Sequence, residues 1–148
     1  MSKNDFEFLQ PDGWAAPRGY ANGIVAQGRQ VYIAGQIGWN ARAQFESDDF
    51  VVQVETALRN IVQVLAAAGG EPRHLVRLNW YLTDKAEYVA RQREIGAAYR
   101  RALGRHFPAM TLLVVAGLLE PRAKVEIEAT AVIPLMSPVT TASDRPTI

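Results

Sequence analysis

The sequence predicts an α+β fold in which two helices pack on one face of a mixed sheet. Three observations support this: the patterns follow in the order β-β-α-β-α-β-β, residues 50–68 show a helical apolar period, and residues 124–132 alternate strictly. With 148 residues, 49% of them hydrophobic and 21% charged, the chain can bury the core of one domain. We expect a single domain over 1–148, with its core at about 19–134, an irregular N-terminal arm at 1–17 and a flexible tail at 135–148.

The composition excludes several kinds of site. The absence of cysteine excludes a disulfide scaffold, a thiol nucleophile and thiolate-bound metal, and with only two histidines we expect no metal site. A net charge of +1 provides no overall attraction to nucleic acid or to an anionic membrane. The first 13 residues lack the apolar run of a signal peptide, and the longest apolar stretch, 112–119, is far shorter than the roughly 20 residues of a membrane span. We therefore expect a cytoplasmic protein without a membrane partner.

The first two strands are predicted as a hairpin. Residues 20–26 and 30–34 are short β-prone runs separated by Gln27, Gly28 and Arg29. The second run is expected to end at Gly35, because the residues that follow are rich in turn formers.

The clearest helix is predicted over 50–68. Apolar residues recur there every three or four positions: Val51, Val54, Leu58, Ile61 and Leu65. Asp49 and its two preceding residues supply the N-cap, and Gly69-Gly70 supply the exit.

A strand over 75–82 and a second helix over 84–104 come next. Asp84 and Glu87 have the spacing of a capping box at the start of that helix. Gln92 lies on its apolar stripe, so its amide either faces a polar cavity or reaches solvent at the helix edge.

The last two strands are predicted over 110–116 and 124–132. The alternation in the second places Glu126 and Glu128 on the face of the sheet that the helices leave bare. A face that is half polar and half apolar is seldom left open in a monomer. We infer a homo-oligomer with clefts where subunits meet.

Several segments, in this order along the chain, resemble the RidA/YjgF reactive-intermediate deaminase family. They are GYANG at 19–23, AGQI at 34–37, the helix residues Gln53, Ala57, Leu58, Asn60 and Ile61, AAG at 67–69, FPA at 107–109 and VEIEA at 125–129. The resemblance implies a chorismate-mutase-like sandwich assembled as a homotrimer, with each active site between two subunits. It also implies hydrolysis of small-molecule enamines or imines to a carbonyl compound and ammonia without a cofactor.

Four site residues are implied by the same resemblance. Tyr20 matches the active-site tyrosine, Gly35 the glycine whose backbone contacts substrate, and Glu126 the carboxylate that positions the attacking water. Gln92 falls where the family often has an asparagine that lines the pocket. Glu126 and Tyr20 are therefore the candidate catalytic residues.

The chain departs from the family at the residue that binds the substrate carboxylate. Met110 stands where the family has an arginine, and Leu112 stands where it frequently has a cysteine. Loss of two charge-assisted hydrogen bonds should weaken recognition of a small 2-imino acid about a hundredfold or more. We therefore expect another substrate, in an apolar pocket shaped by Met110, Leu112 and Trp39, with Arg18 or Arg42 as candidate replacements for the missing cation.

Three alternatives stay open. The cleft could bind a small molecule without catalysis, and Trp39 could pack on the next subunit instead of covering substrate. RNA cleavage, described for some members of the family, ranks last. The basic stretch that would serve it, from Arg91 to His106, is interrupted by Glu94 and spread around a helix, so we expect no nucleic-acid partner.

Overall fold

The computed structural model describes residues 6–135, and within them the chain forms six strands and three α-helices. In chain order these are β1 (Phe6–Leu9), β2 (Gly23–Ala26), β3 (Arg29–Ile37), α1 (Phe50–Ala67), β4 (Leu75–Leu82), α2 (Lys85–Ala90), α3 (Gln92–Leu103), β5 (Ala109–Val114) and β6 (Val125–Ile133). A 3₁₀ turn, Pro72–His74, leads into β4. The predicted tail begins at residue 135, and residues 136–148 lie outside the described part.

The main sheet is mixed, as predicted. Its strand order is β3-β6-β4-β5, with β6 antiparallel to both neighbours and β4 parallel to β5. α1 packs against β3, β6 and α3, so the helices form one layer on one face of the sheet. This is the arrangement expected of the chorismate-mutase-like fold.

The predicted N-terminal hairpin is wrong. β2 pairs with β1, which forms inside the segment predicted to be irregular, and β3 pairs with β6 instead. Gly28 shows why the chain takes this path. Its φ is 151°, and a Cβ at this position would lie 2.2 Å from the carbonyl oxygen of Ile133, so the turn passes directly over the end of β6.

β3 also continues beyond its predicted end at Gly35. Gln36 and Ile37 still pair with Ile127 and Glu126, after a register shift between Ile33 and Gln36. Turn formers in the sequence suggested a loop here, whereas the structure uses Gly35 within an irregularity of the ladder.

The predicted first helix is confirmed to within one residue. Asp49 is its N-cap, and an Asp49 carboxylate oxygen accepts from the Val52 N–H at 3.0 Å. By length and composition alone α1 could span a bilayer, but its apolar face packs in the core of this domain. The buried residues of α1 are Phe50, Val51, Gln53, Val54, Ala57, Leu58, Ile61 and Leu65.

Gln53 is the buried polar residue of that face. Its amide donates to the carbonyls of Ser47 and Arg122 at 3.2 and 3.0 Å and accepts from the Lys124 N–H at 2.9 Å. One bond joins α1 to the segment before it, and the other two join α1 to the segment that leads into β6. The amide thus takes the place of backbone pairing where β6 begins.

The second predicted helix is two helices, α2 and α3. Arg91 lies between them with φ −119° and ψ 25°. Its guanidinium bonds to Asp49 at 2.7 Å and to Glu94 at 2.5 Å, which ties this junction to the start of α1. The helical period continues across the break, so periodicity alone could not show it.

The alternation predicted for the last strand is confirmed. Val125, Ile127, Ala129 and Ala131 are buried against the helices, whereas Glu126 and Glu128 are half-buried on the other face.

Candidate active site

The predicted site residues lie in two separate hollows of the single chain. We call the first, of about 290 Å³, the aromatic pocket; it is lined by Arg18, Gly19, Tyr20, Trp80, Tyr88, Gln92, Ile95, Gly96, Tyr99, Phe107, Met110 and Leu112. We call the second, of about 150 Å³, the acidic hollow; it is lined by Gly35, Ile37, Trp39, Leu118, Leu119, Glu120 and Glu126. Tyr20, Gln92, Met110 and Leu112 are therefore together, and Gly35, Trp39 and Glu126 are together, but the two groups are apart.

Strand register shows that Glu126 and Leu112 point to opposite faces of the sheet. Leu112 pairs with Trp80, and Trp80 pairs with Ile127, so these three side chains share the helix-covered face. Glu126 is the next residue along β6 and pairs with Tyr81, on the bare face. No rotamer change within one chain can bring the Glu126 carboxylate into the aromatic pocket.

Stacked rings form the buried wall of the aromatic pocket. Trp80 and Tyr99 lie 6.4 Å apart between ring centroids, and Tyr99 and Phe107 lie 5.2 Å apart, with interplanar angles of 16° and 10°. The Tyr99 hydroxyl donates to the His106 carbonyl at 2.5 Å. Burial raises the pKa of Tyr99 and also that of Tyr88, so both are neutral at physiological pH.

One buried polar atom of this wall has no acceptor. Within residues 6–135, the Trp80 indole nitrogen makes no hydrogen bond. An unsatisfied buried donor costs about 1–3 kcal/mol, so the indole is retained here at the expense of stability.

The open side of the aromatic pocket is polar. Arg18, Tyr20 and Gln92 are exposed, and within the described part of the chain their side chains form no hydrogen bond or ion pair. Gln92 thus combines the two possibilities left by the sequence, since it lines a cavity and also reaches solvent.

Met110 and Leu112 line this pocket from β5. They pair with Leu78 and Trp80 of β4 and are half-buried. The position at which the family resemblance implies a carboxylate-binding arginine is therefore occupied by a thioether that faces aromatic rings.

Glu126 and Gly35 are in close contact in the acidic hollow. A Cβ built on Gly35 would lie 2.2 Å from Glu126 Oε1, so only glycine leaves room for this carboxylate. Within residues 6–135, the Glu126 carboxylate accepts no hydrogen bond and forms no ion pair. Trp39 lines the same hollow and packs on Phe45, with 6.1 Å between ring centroids.

Glu128, two residues further along β6, is differently placed. Its Oε1 accepts from the Tyr81 hydroxyl at 2.7 Å and from the Asn79 amide at 3.1 Å. The hydrogen bond to Glu128, together with the charges of Glu128 and Glu126, raises the pKa of Tyr81. Of these two acids, Glu126 is the one with both oxygens free of hydrogen bonds within residues 6–135.

Three of the six basic residues in the stretch from Arg91 to His106 make internal contacts. Arg91 bonds to Asp49 and Glu94, Arg101 bonds to Glu55 at 2.5 Å, and the His106 ring bonds to the Leu75 carbonyl at 2.7 Å. In the described part of the chain, no group of three histidine or acidic side chains is close enough to hold a metal ion.

A sequence profile of the family described as endoribonuclease L-PSP matches residues 13–133. The chain belongs to this family, the RidA/YjgF family.

RidA/YjgF relatives named 2-iminobutanoate/2-iminopropanoate deaminase match most of the chain. The protein from Capra hircus is 34% identical over 126 residues, which cover 84% of this chain and 85% of the relative. The human protein is 31% identical over 125 residues, with the same coverage. A crystal structure of the Rid-family protein YyfB from Yersinia pestis, described as of unknown function, has a TM-score of 0.75 and 31% identity over 87% of this chain and 99% of that one. Imine deaminase activity is thus found in the RidA/YjgF family.

Sequence reasoning missed the aromatic wall. Trp80 lies in the strand predicted over 75–82 and Tyr99 in the helix predicted over 84–104, where an aromatic residue is ordinarily part of the core. Both line the same pocket, and this can be seen only once the strand order and the packing of α3 are known.

The structure also separates the two candidate cations. Arg18 lines the aromatic pocket with Met110, whereas Arg42 lies in the exposed loop after Trp39 and lines neither hollow.

Proposed function

We propose that this protein hydrolyses a reactive enamine or imine to a carbonyl compound and ammonia, at sites formed between the subunits of a homotrimer. In each site the aromatic pocket of one subunit faces the acidic hollow of the next. The observation that carries the proposal is the Glu126 carboxylate, which is held against Gly35 and has no partner among residues 6–135, in a chain whose relatives are named imine deaminases.

The exposed sheet face supports the assembly. Tyr32, on β3, is 74% exposed, and Leu119, beside the acidic hollow, is 95% exposed. Large exposed apolar side chains on an uncovered sheet face, and in the loop beside it, are typical of an interaction surface. A second copy of the chain brings a surface of the right kind, and it also supplies the half of the site that each subunit lacks.

The chemistry requires one water molecule and no redox step. The water oxygen attacks the imine carbon, the C=N electron pair moves to nitrogen, and Glu126 takes the proton that the water loses. Glu126 then returns this proton to nitrogen, which gives the carbinolamine. The carbinolamine hydroxyl proton next passes through Glu126 to nitrogen as the C–N bond breaks, so ammonia leaves and a C=O group forms. Tyr20 and the Gly35 backbone orient the substrate.

Met110 restricts which substrates the site can bind. A thioether cannot form the paired charge-assisted bonds that a guanidinium gives to a carboxylate, so small 2-imino acids lose their main anchor. The substrate is therefore one that gains its affinity from other contacts in the aromatic pocket.

The test compares Glu126→Gln with Glu128→Gln, a matched change on the same strand and face. Imines of several amino acids are generated in situ, and ammonia release is followed with each protein. Glu126→Gln should lose about a hundredfold or more of the rate, because it removes the proton acceptor, whereas Glu128→Gln should stay near wild type.

Two results would contradict the proposal. Full activity in Glu126→Gln would remove this residue from the mechanism. Ammonia release no faster than in buffer for every imine, with a ligand still bound, would favour a non-catalytic binding protein.

A further inference from the structure

The aromatic pocket has a polarity gradient from its mouth to its base. Arg18, Tyr20 and Gln92 are exposed, whereas Trp80 and Tyr99 are buried and form the stacked wall. A ligand that fits such a pocket has one charged or polar end and one apolar end, with the apolar end inside.

We propose that the pocket binds 2-imino acids with a large apolar side chain, with the side chain against the aromatic wall and the carboxylate at Arg18. This names the substrate class of the same site and rests on the proposed function. Relative to a small imino acid held by an arginine at position 110, the substrate is turned so that its carboxylate faces the mouth.

The volume of the pocket supports a ring-sized side chain. The cavity holds about 290 Å³, and an apolar cavity of about 150 Å³ is enough for benzene. The remaining space accommodates the imino and carboxylate groups. Met110 and Leu112, on the sheet side, leave the interior without a charge that would have to be desolvated.

Arg18 is the cation that the pocket offers. Its guanidinium has no hydrogen-bond or ion-pair partner within residues 6–135, whereas Arg91 and Arg101, on the helix side, are held by acidic residues. It lines the same pocket as Tyr20, the proposed substrate-orienting residue. A free guanidinium there can bind a carboxylate in the two-bond geometry that Met110 cannot provide.

Binding is tested apart from turnover with 2-oxo acids, the product class. Calorimetry measures the affinities of phenylpyruvate, of pyruvate and of phenylacetone, which lacks the carboxylate. Each is measured for the wild type, for Arg18→Gln and for the control Arg42→Gln. Phenylpyruvate should bind wild type at least about tenfold more tightly than pyruvate. Arg18→Gln should weaken the binding of phenylpyruvate about ten- to a hundredfold and the binding of phenylacetone less than about twofold. Arg42→Gln should change the affinity for neither ligand.

A reciprocal variant tests the orientation. Met110→Arg puts a cation inside the pocket, so it should strengthen the binding of pyruvate and weaken the binding of phenylpyruvate. Equal affinity of wild type for pyruvate and phenylpyruvate, or unchanged phenylpyruvate affinity in Arg18→Gln, would overturn the inference.

Turnover then separates the two proposals. If phenylpyruvate binds through Arg18 and the imine of phenylalanine is still not hydrolysed, the proposed reaction fails and the assignment of the pocket stands. If imines are hydrolysed with no dependence on Arg18 or on side-chain size, the reaction stands and this inference fails.

Discussion

At the scale of single residues, the contact between Gly35 and Glu126 is the tightest constraint in the candidate site. The carboxylate occupies the space into which any Cβ at position 35 would project. Because the displaced atoms belong to the end of a side chain, the protein could accommodate a methyl group by moving Glu126 and little else. A substitution at Gly35 is therefore expected to affect chemistry more than folding.

We predict that Gly35→Ala lowers kcat/KM for imine hydrolysis about a hundredfold, because it shifts the carboxylate that positions water by about 1 Å or more. The free energy of unfolding, measured by urea denaturation, should change by less than about 1 kcal/mol. Gly117→Ala is the control, since a Cβ there meets no atom within 4 Å. Normal activity in Gly35→Ala would show that the position of Glu126 is unimportant.

Individual site residues could be assigned from short segments, whereas their grouping could not. Tyr20 and Glu126 stand in segments that match the family, but the sequence gives no distance between them, and the structure places them in different hollows. The choice between Arg18 and Arg42 also needed the structure, because it depends on the path of the chain before β2 and after β3.

At the scale of elements, one ion pair joins the start of α1 to the junction of α2 and α3. Asp49 caps α1 with one oxygen and bonds to Arg91 with the other. The hydrogen bond from the Arg91 guanidinium is the main reason that the pKa of the Asp49 carboxyl lies below its usual value. Sequence patterns located the cap but not the break at Arg91, because that break depends on a partner 42 residues away.

We predict that Asp49→Asn, which preserves capping but removes the charge, lowers the free energy of unfolding by about 0.5–1 kcal/mol at pH 7. A carboxyl whose pKa is lowered by folding stabilises above its ordinary pKa and loses this effect as pH falls through the lowered value. The difference from wild type should therefore be full at neutral pH and should shrink as the pH falls below about 3.9, the ordinary carboxyl pKa.

The measurement is urea denaturation at several pH values, with Asp12→Asn as an exposed control. A deficit in Asp49→Asn that stayed constant down to pH 2, about two units below the ordinary value, would show that the bond to Arg91 contributes nothing through charge.

At the scale of the whole molecule, the sheet has one face covered by helices and one face open. The order of helices and strands along the chain and the alternation of β6 make this asymmetry predictable, and they also predict that another copy covers the open face. What could not be predicted is that β1 and β2 form their own small sheet, since this depends on how Gly28 crosses the end of β6.

We predict that the wild-type protein sediments at about three times the 16.3 kDa mass of the chain at micromolar concentration. Tyr32→Glu introduces charge on the open face and should shift the mass toward that of one chain. Val64→Glu, at an exposed apolar position on α1, should leave the mass unchanged. A wild-type protein that sediments as a single chain would rule out the intersubunit site.

The location of the two hollows on opposite faces has a genetic consequence. In the proposed trimer, each site combines the aromatic pocket of one subunit with Glu126 of the next. A substitution in the pocket and a substitution of Glu126 therefore damage different halves of a site. If equal amounts of Arg18→Gln and Glu126→Gln chains co-assemble, about one quarter of the sites combine an intact pocket with an intact Glu126. Two alleles that each lower activity would then complement each other in one cell.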